Sequence, residues 1–130
     1  MVIVDLGSCA LLDDDGVLVA VSRRAFARRY ASGVFDYAYP RELDECAARE
    51  IAVSWRHDEE GEQRVEIELG DAPAESGWLG PRRLRIESED ALLLMPYSQV
   101  TMAAEQGGRP EPIEGVSADF DLAEGAYDVR

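Results

Sequence analysis

The sequence contains no lysine, because all 13 of its basic residues are arginine. An all-arginine set is typical of GC-rich bacterial genomes, and it excludes phosphate-binding loops whose motif requires lysine. Only one histidine, His57, and two cysteines, Cys9 and Cys46, are present. Such a set lacks the close ligand pairs of a structural zinc site and cannot form a disulfide framework. We therefore predict free thiols and no metal site.

Catalytic motifs are also missing. The sequence has no dinucleotide-binding glycine pattern and no nucleophile elbow, and a Ser-His-acid triad would have to use His57. His57 stands in the most acidic turn, where a solvated histidine is the simpler interpretation. The three aspartates that precede Gly16 lack the alternate spacing of a calcium loop, so a plain turn is favoured. We assign no catalytic residue and no cofactor.

Long apolar runs are absent as well. No stretch approaches the roughly 18 apolar residues that span a bilayer, and the N-terminus has no basic segment ahead of its apolar residues, unlike a signal peptide. These absences predict a mature strand at the N-terminus, a cytoplasmic location and no membrane association. A chain of 130 residues is most simply one domain, 1–130.

Acidic charge is what the sequence has in excess. The net charge is −14, and residues 41–70 alone hold ten acids and four arginines, a net charge of −6. Direct nucleic-acid binding is disfavoured because phosphate neutralisation needs a basic face. Such acidity suits solubility or a basic protein partner. One dense basic cluster fits either an anion-binding patch or pairing with the chain's own carboxylates: Arg23, Arg24, Arg28 and Arg29.

Alternating apolar and polar residues dominate the chain and predict strands. Residues 51–69 have the pattern of an antiparallel hairpin with one apolar and one charged face, residues 2–21 that of a second hairpin, and residues 118–129 that of a closing one. In Arg82–Ser88, two outward arginines would complement the glutamates at 66 and 68 if the strands are neighbours. Residues 97–103 are expected to be extended.

Two segments carry helical signals. Ser22 is a candidate N-cap for a helix over 23–32, in which Phe26 and Tyr30 share a face at i, i+4. Pro40 precedes a second helix over 41–49. Its predicted inward residues are Leu43, Cys46 and Ala47. The whole pattern predicts a mainly β chain: an antiparallel β-sandwich of about eight short strands with one or two short helices.

The order of segments resembles that of the small bacterial nuclease inhibitors of the competence operon and of related immunity-type β-sandwich domains. Phe120–Val129 carries the resemblance, with an alternating strand, a glycine turn and an aromatic strand. Arg82–Ser88 and Ala91–Met102 stand where the family has its preceding hairpin, whereas the arginine-rich N-terminal half departs from the pattern. The resemblance implies a nuclease inhibitor and supplies no catalytic motif.

The leading hypothesis is a non-catalytic acidic binding protein of the immunity type, which neutralises a basic nuclease or toxin partner. Its acids would occupy the basic groove that normally takes phosphate. The candidate partner-binding residues are Asp58, Glu59, Glu60, Glu62, Asp119, Asp121 and Glu124. Two alternatives stay open: a small carboxylate-containing ligand-binding or hydrolytic β-sandwich, and a homo-oligomeric accessory domain.

Overall fold

The computed structural model describes residues 3–13, 16–36, 41–56, 61–70, 82–108, 113 and 115–129, with the backbone alone in 3–13 and 61–70 and at position 82. Within these residues the fold is mainly β, as predicted, and all pairings are antiparallel. The strands are β1 Ile3–Asp13, β2 Val17–Ser22, β3 Ala52–Arg56, β4 Gly61–Gly70, β5 Arg82–Ile86, β6 Ala91–Pro96, β7 Ala118–Asp121 and β8 Gly125–Val129. The helices are α1 Arg23–Arg29, α2 Arg41–Ala48 and α3 Tyr97–Glu105.

A four-stranded sheet in the order β3-β2-β6-β7 forms the centre of the described structure. Every residue of its two middle strands, β2 and β6, is buried. On one face, Val19 and Leu93 pack with Phe26 of α1 and with the other helices. On the other face, Leu94 packs with Leu84 of the two-stranded β5–β8 ladder. Because both faces are covered, the sequences VLVAVS and ALLLMP are apolar at nearly every position.

The two hairpins predicted in the first seventy residues are wrong, and a longer pairing replaces them. Strand β1 pairs with β4, and β2 pairs with β3. Asp13 stands opposite Gly61 and Val17 opposite Arg56, so the two ladders continue one another in the same register to within one residue. The two arms of each predicted hairpin therefore follow one another along one side of a long ladder and do not pair with each other.

The closing hairpin is also wrong, because β7 pairs with β6 and β8 pairs with β5. This places β5 beside β8, not beside the glutamates of β4. Arg83 Nε instead lies 3.2 Å from Oδ1 of Asp128, and Arg85 Nε lies 3.0 Å from Oε2 of Glu50. The outward arginines of β5 do find opposite charges, as expected, but on other elements.

The prediction that residues 97–103 are extended is wrong, since they lie in helix α3. Val100, Ala103 and Ala104 are buried at i, i+3 and i+4, which is the spacing of one helical face. Pro96 ends β6 and caps the helix with an extended backbone. The described residues thus contain three helices, more than the one or two predicted. None of the described helices combines the length and the apolar character that a membrane span requires.

Helices α2 and α3 end in the same hydrogen-bond pattern. In α3, the N–H of Gly107 donates to Ala104 O and that of Gly108 to Ala103 O. In α2, Glu50 donates to the carbonyl three residues back, Ala47 O, and Ile51 to the one five residues back. This is the Schellman motif, whose first residue after the cap takes a positive φ. The residue with positive φ is Gly107 (+86°) in α3 but Glu50 (+60°) in α2.

Candidate protein-binding surface

The candidate partner-binding acids fall in three parts of the chain. Asp58, Glu59 and Glu60 lie outside the described residues. Glu62 lies in β4, where its backbone stands opposite Leu12 of β1. The remaining candidates lie in β7 or just after it, at Asp119, Asp121 and Glu124. Only for these three does the structure describe side chains.

Strand β7 is an edge of the four-stranded sheet. Ala118 and Phe120 are half-buried and pack toward the β5–β8 ladder. Asp119 and Asp121 alternate with them and are exposed. Since successive side chains of a strand point to opposite faces, both aspartates lie on the helix-covered side of the sheet. Their position next to Arg23 of α1 agrees with this, as Asp119 Oδ2 lies 3.7 Å from the Arg23 guanidinium.

An open groove of about 440 Å³ separates β7 from the start of α1. Its ionisable lining consists of two arginines and four carboxylates, so its charge is net negative: Arg23, Arg24, Glu89, Asp90, Asp119 and Asp121. This groove brings two of the predicted partner-binding residues together. Glu124 is not part of its lining and lies in the exposed connection to β8.

Asp90 has a structural role in this groove. The residue is only 7% exposed, and its carboxylate accepts hydrogen bonds from the backbone N–H groups of Arg24 (2.9 Å), Glu87 (3.3 Å) and Ala91 (2.8 Å). Backbone donors of this kind satisfy a buried carboxylate. The bond to Arg24 also supplies the α1 N-terminus with an acceptor that Ser22 does not provide, because the Ser22 hydroxyl donates to Arg85 O.

The candidate carboxylates in and after β7 are not held by strong ion pairs within the described residues. Within the described residues, Asp121 and Glu124 form no ion pair. The pair between Asp119 and Arg23 is long and partly exposed, and such pairs contribute little to stability. We call Asp119, Asp121 and Glu124 the acidic edge. These carboxylates are exposed to solvent on the edge strand β7 and just after it.

All four members of the arginine cluster pair with the chain's own carboxylates. The pairs are Arg23 with Asp119, Arg24 with Glu89, Arg28 with Glu87, and Arg29 with both Glu42 and Glu45. The Arg28 guanidinium contacts both carboxylate oxygens of Glu87. These hydrogen bonds hold the pKa of Glu87 below its usual value and raise that of Arg28. Of the two interpretations, internal pairing describes the cluster in this structure.

A buried polar network joins α1 to α2. Leu43 and Cys46 of α2 are buried as predicted, but Ala47 is exposed and Glu42 is buried in its place. Glu42 accepts hydrogen bonds from the Tyr30 hydroxyl and from Nε (3.1 Å) and Nη2 (2.9 Å) of Arg29. The Tyr30 oxygen lies 3.2 Å from Cys46 Sγ. Since the hydroxyl hydrogen points to Glu42, the thiol is the donor in that contact.

This network stabilises the contact between α1 and α2 and does not form a nucleophilic site. Burial raises the pKa of the Cys46 thiol, so the thiol stays protonated at neutral pH. Burial and the hydrogen bonds with Cys46 and Glu42 also raise the pKa of Tyr30. Burial disfavours charge on Arg29, but its hydrogen bonds with Tyr30 and Glu42 outweigh that effect and raise its pKa. Arg29 and Glu42 therefore form a charged pair that holds the two helices together.

No protein-family model, curated protein or solved structure matches this chain. The resemblance to the competence-operon inhibitors thus stays a prediction. Within the described ranges, no three His, Cys, Asp or Glu side chains are grouped as metal ligands. The features of the described residues that bear on function are the acidic edge, the buried network and the arginines that face solvent.

Proposed function

We propose that the protein is a non-catalytic acidic binding protein, which neutralises a basic partner in the way that immunity-type proteins neutralise a nuclease or toxin. The observation that carries this proposal is the acidic edge. Asp119 and Asp121 lie on the edge strand β7 and Glu124 follows it, and the outer backbone N–H and C=O groups of β7 have no partner strand among the described residues. Such an edge offers a partner both charge and backbone hydrogen bonds.

The electrostatic argument extends beyond contact distance. A net charge of −14 attracts a basic protein over roughly the Debye length, about 8 Å at physiological salt. This attraction raises the association rate more than it lowers the dissociation rate. Carboxylates that are not paired internally, such as Asp121 and Glu124, take the place of phosphate oxygens in the partner's basic groove. Binding should therefore weaken strongly as salt is added.

The proposal includes a fold and a location. The architecture we propose is a β-sandwich, supported by the packing of the β5–β8 ladder on one face of the four-stranded sheet. The location we propose is the cytoplasm, which suits the free buried thiol of Cys46. The alternative of a carboxylate-based ligand-binding or hydrolytic site has less support, because burial keeps Asp90 engaged with backbone donors.

The test begins with affinity capture from a lysate of the source cells, followed by purification of any basic protein that salt releases. Association rates are then measured for that pair by stopped flow. The variant D121N/E124Q removes two unpaired charges from the acidic edge. Association at low salt should become roughly threefold to tenfold slower, because steering depends on local charge.

A matched control removes the same charge elsewhere. D44N/E105Q neutralises two exposed carboxylates that form no ion pair within the described structure, and they lie in α2 and at the end of α3. The control should slow association much less than D121N/E124Q. Equal slowing by both variants would remove the acidic edge from the proposal, and association that is insensitive to salt would contradict the proposal as a whole.

A further inference from the structure

A second groove lies on the other side of α1 and has the opposite charge. It is bounded by α1, by the turn between α2 and β3, and by β5, and it has a volume of about 540 Å³. Four arginines and two glutamates line it: Arg28, Arg29, Arg49, Arg85, Glu50 and Glu87. The lining thus carries a surplus of two positive charges in a chain whose net charge is −14. We call it the arginine groove.

Internal pairing accounts for only part of this positive charge. Glu87 binds Arg28 through both carboxylate oxygens, and Arg29 is held by carboxylates of α2. Arg49 is exposed, and no carboxylate of the described residues lies within ion-pair distance of its guanidinium. Arg85 uses only Nε for its bond to Glu50, at 3.0 Å. Its two terminal nitrogens have no partner in the described structure.

The backbone fixes these two arginines relative to each other. The N–H of Arg85 donates to the carbonyl oxygen of Glu50 at 3.0 Å, and Glu50 directly follows Arg49 in the chain. The left-handed conformation of Glu50 (φ +60°) directs this turn against β5. The backbone therefore brings both residues to the lining of one groove, and a ligand would have to order only their side chains.

We propose that the arginine groove is a binding site for a phosphate group, with Arg49 and Arg85 as its principal contacts. A phosphate monoester or inorganic phosphate carries close to two negative charges near neutral pH and several acceptor oxygens, which suits the exposed Arg49 and the terminal nitrogens of Arg85. Guanidinium groups donate pairs of parallel N–H bonds to phosphate oxygens, and two of them can share one tetrahedral anion. This inference does not depend on the acidic edge.

The test is a titration followed by NMR, which observes the Nε–Hε signals of the arginines. The probes are inorganic phosphate and a phosphoserine pentapeptide, added at constant ionic strength, with the unphosphorylated pentapeptide as a control. The signals of Arg49 and Arg85 should shift and saturate with both phosphate probes and stay unchanged with the control. Tighter binding of the phosphopeptide would assign the site to a phosphorylated chain, and tighter binding of inorganic phosphate to the free anion.

Matched substitutions complete the test. R49Q should weaken phosphate binding by roughly tenfold or more, as expected for the loss of a charge-assisted contact. R56Q removes the same charge from an exposed arginine at the other end of β3, outside the groove, and should leave the affinity unchanged within about twofold. Amide spectra confirm that both variants are folded. Shifts that do not saturate, or equal weakening by R49Q and R56Q, would overturn the proposal.

Discussion

Glu50 occupies a backbone position that favours glycine, which leads to a prediction with an unusual sign. At φ +60° a side chain with a Cβ costs roughly 1–2 kcal/mol relative to the right-handed region. Helix α3 places Gly107 at the equivalent position of its own Schellman motif. The substitution Glu50→Gly removes this strain, whereas Glu50→Ala keeps the strain and removes the same carboxylate.

The magnitude follows from two opposing effects. Both substitutions lose the Glu50–Arg85 ion pair, in which Arg85 is exposed and Glu50 half-buried, and a pair accessible to solvent contributes about 0.2–1 kcal/mol. Glycine gains relief of the left-handed strain but also makes the unfolded chain more flexible, which offsets part of the gain. The free energy of unfolding of Glu50→Gly should exceed that of Glu50→Ala by about 1 kcal/mol. For a chain of this size, that corresponds to about 3–5 °C in Tm.

Urea denaturation at neutral pH measures this difference as a shift in midpoint at constant slope. The control pair is Asp44→Gly and Asp44→Ala, at an exposed position inside α2. There the order should reverse, with alanine more stable by about 1 kcal/mol. If Glu50→Ala proved as stable as Glu50→Gly, the left-handed conformation of Glu50 and the positioning of Arg49 and Arg85 derived from it would be refuted.

Three further predictions concern the pairs and the thiol. In a Cys9→Ser background, Cys46 should resist a thiol reagent until the protein unfolds. Because burial raises the pKa of the Cys46 thiol, its contribution to stability is complete below the unfolded pKa near 9 and is lost as the pH rises through the folded pKa. Denaturation between pH 8 and 11 would measure this loss. Arg28→Gln should raise the pKa of Glu87 toward 4.5, which carboxyl NMR measures. The Arg28–Glu87 pair stabilises the folded protein above that unfolded pKa, and this stabilisation is lost as the pH falls through the lower folded pKa of Glu87. Glu42→Ala should lower the free energy of unfolding by about 1.5–3 kcal/mol, since it removes the acceptor of the buried Tyr30 hydroxyl and leaves the half-buried Arg29 with only the exposed Glu45 as an ion-pair partner. A loss under about 0.5 kcal/mol in urea would contradict a stabilising role for this network.

Much of the local structure could be predicted from the sequence, because it depends on side-chain periodicity. The alternation that marks Leu84 and Ile86 as inward residues of β5 is local, and both are buried. The i, i+4 spacing of Phe26 and Tyr30 is local too, and their ring centroids lie 4.8 Å apart. Strand partners are different, since a period of two defines the faces of a strand but not its neighbour. All three predicted hairpins were wrong for this reason.

The sites were harder to predict than the strands. Glu42 is buried because Arg29 and Tyr30 compensate it from another helix, and no local pattern in α2 reveals those partners. The arginine groove likewise combines Arg49 and Arg85, which are distant in sequence and meet only through the hydrogen bond between β5 and the α2–β3 turn. In contrast, the exposure of Asp119 and Asp121 followed directly from their alternation with apolar residues.

The central position of β2 and β6 has a consequence for synthesis of the chain. Strand β2 ends at residue 22 and β6 begins at residue 91, so at typical elongation rates the ribosome needs roughly 3–14 s to add β6 after β2 is complete. Strand β3 emerges within that interval and can cover one side of β2, but the other side has no hydrogen-bonding partner until β6 arrives. An apolar strand that waits for a late neighbour is a natural substrate for a holding chaperone. Slow codons between residues 56 and 91 should therefore reduce the soluble yield of this protein.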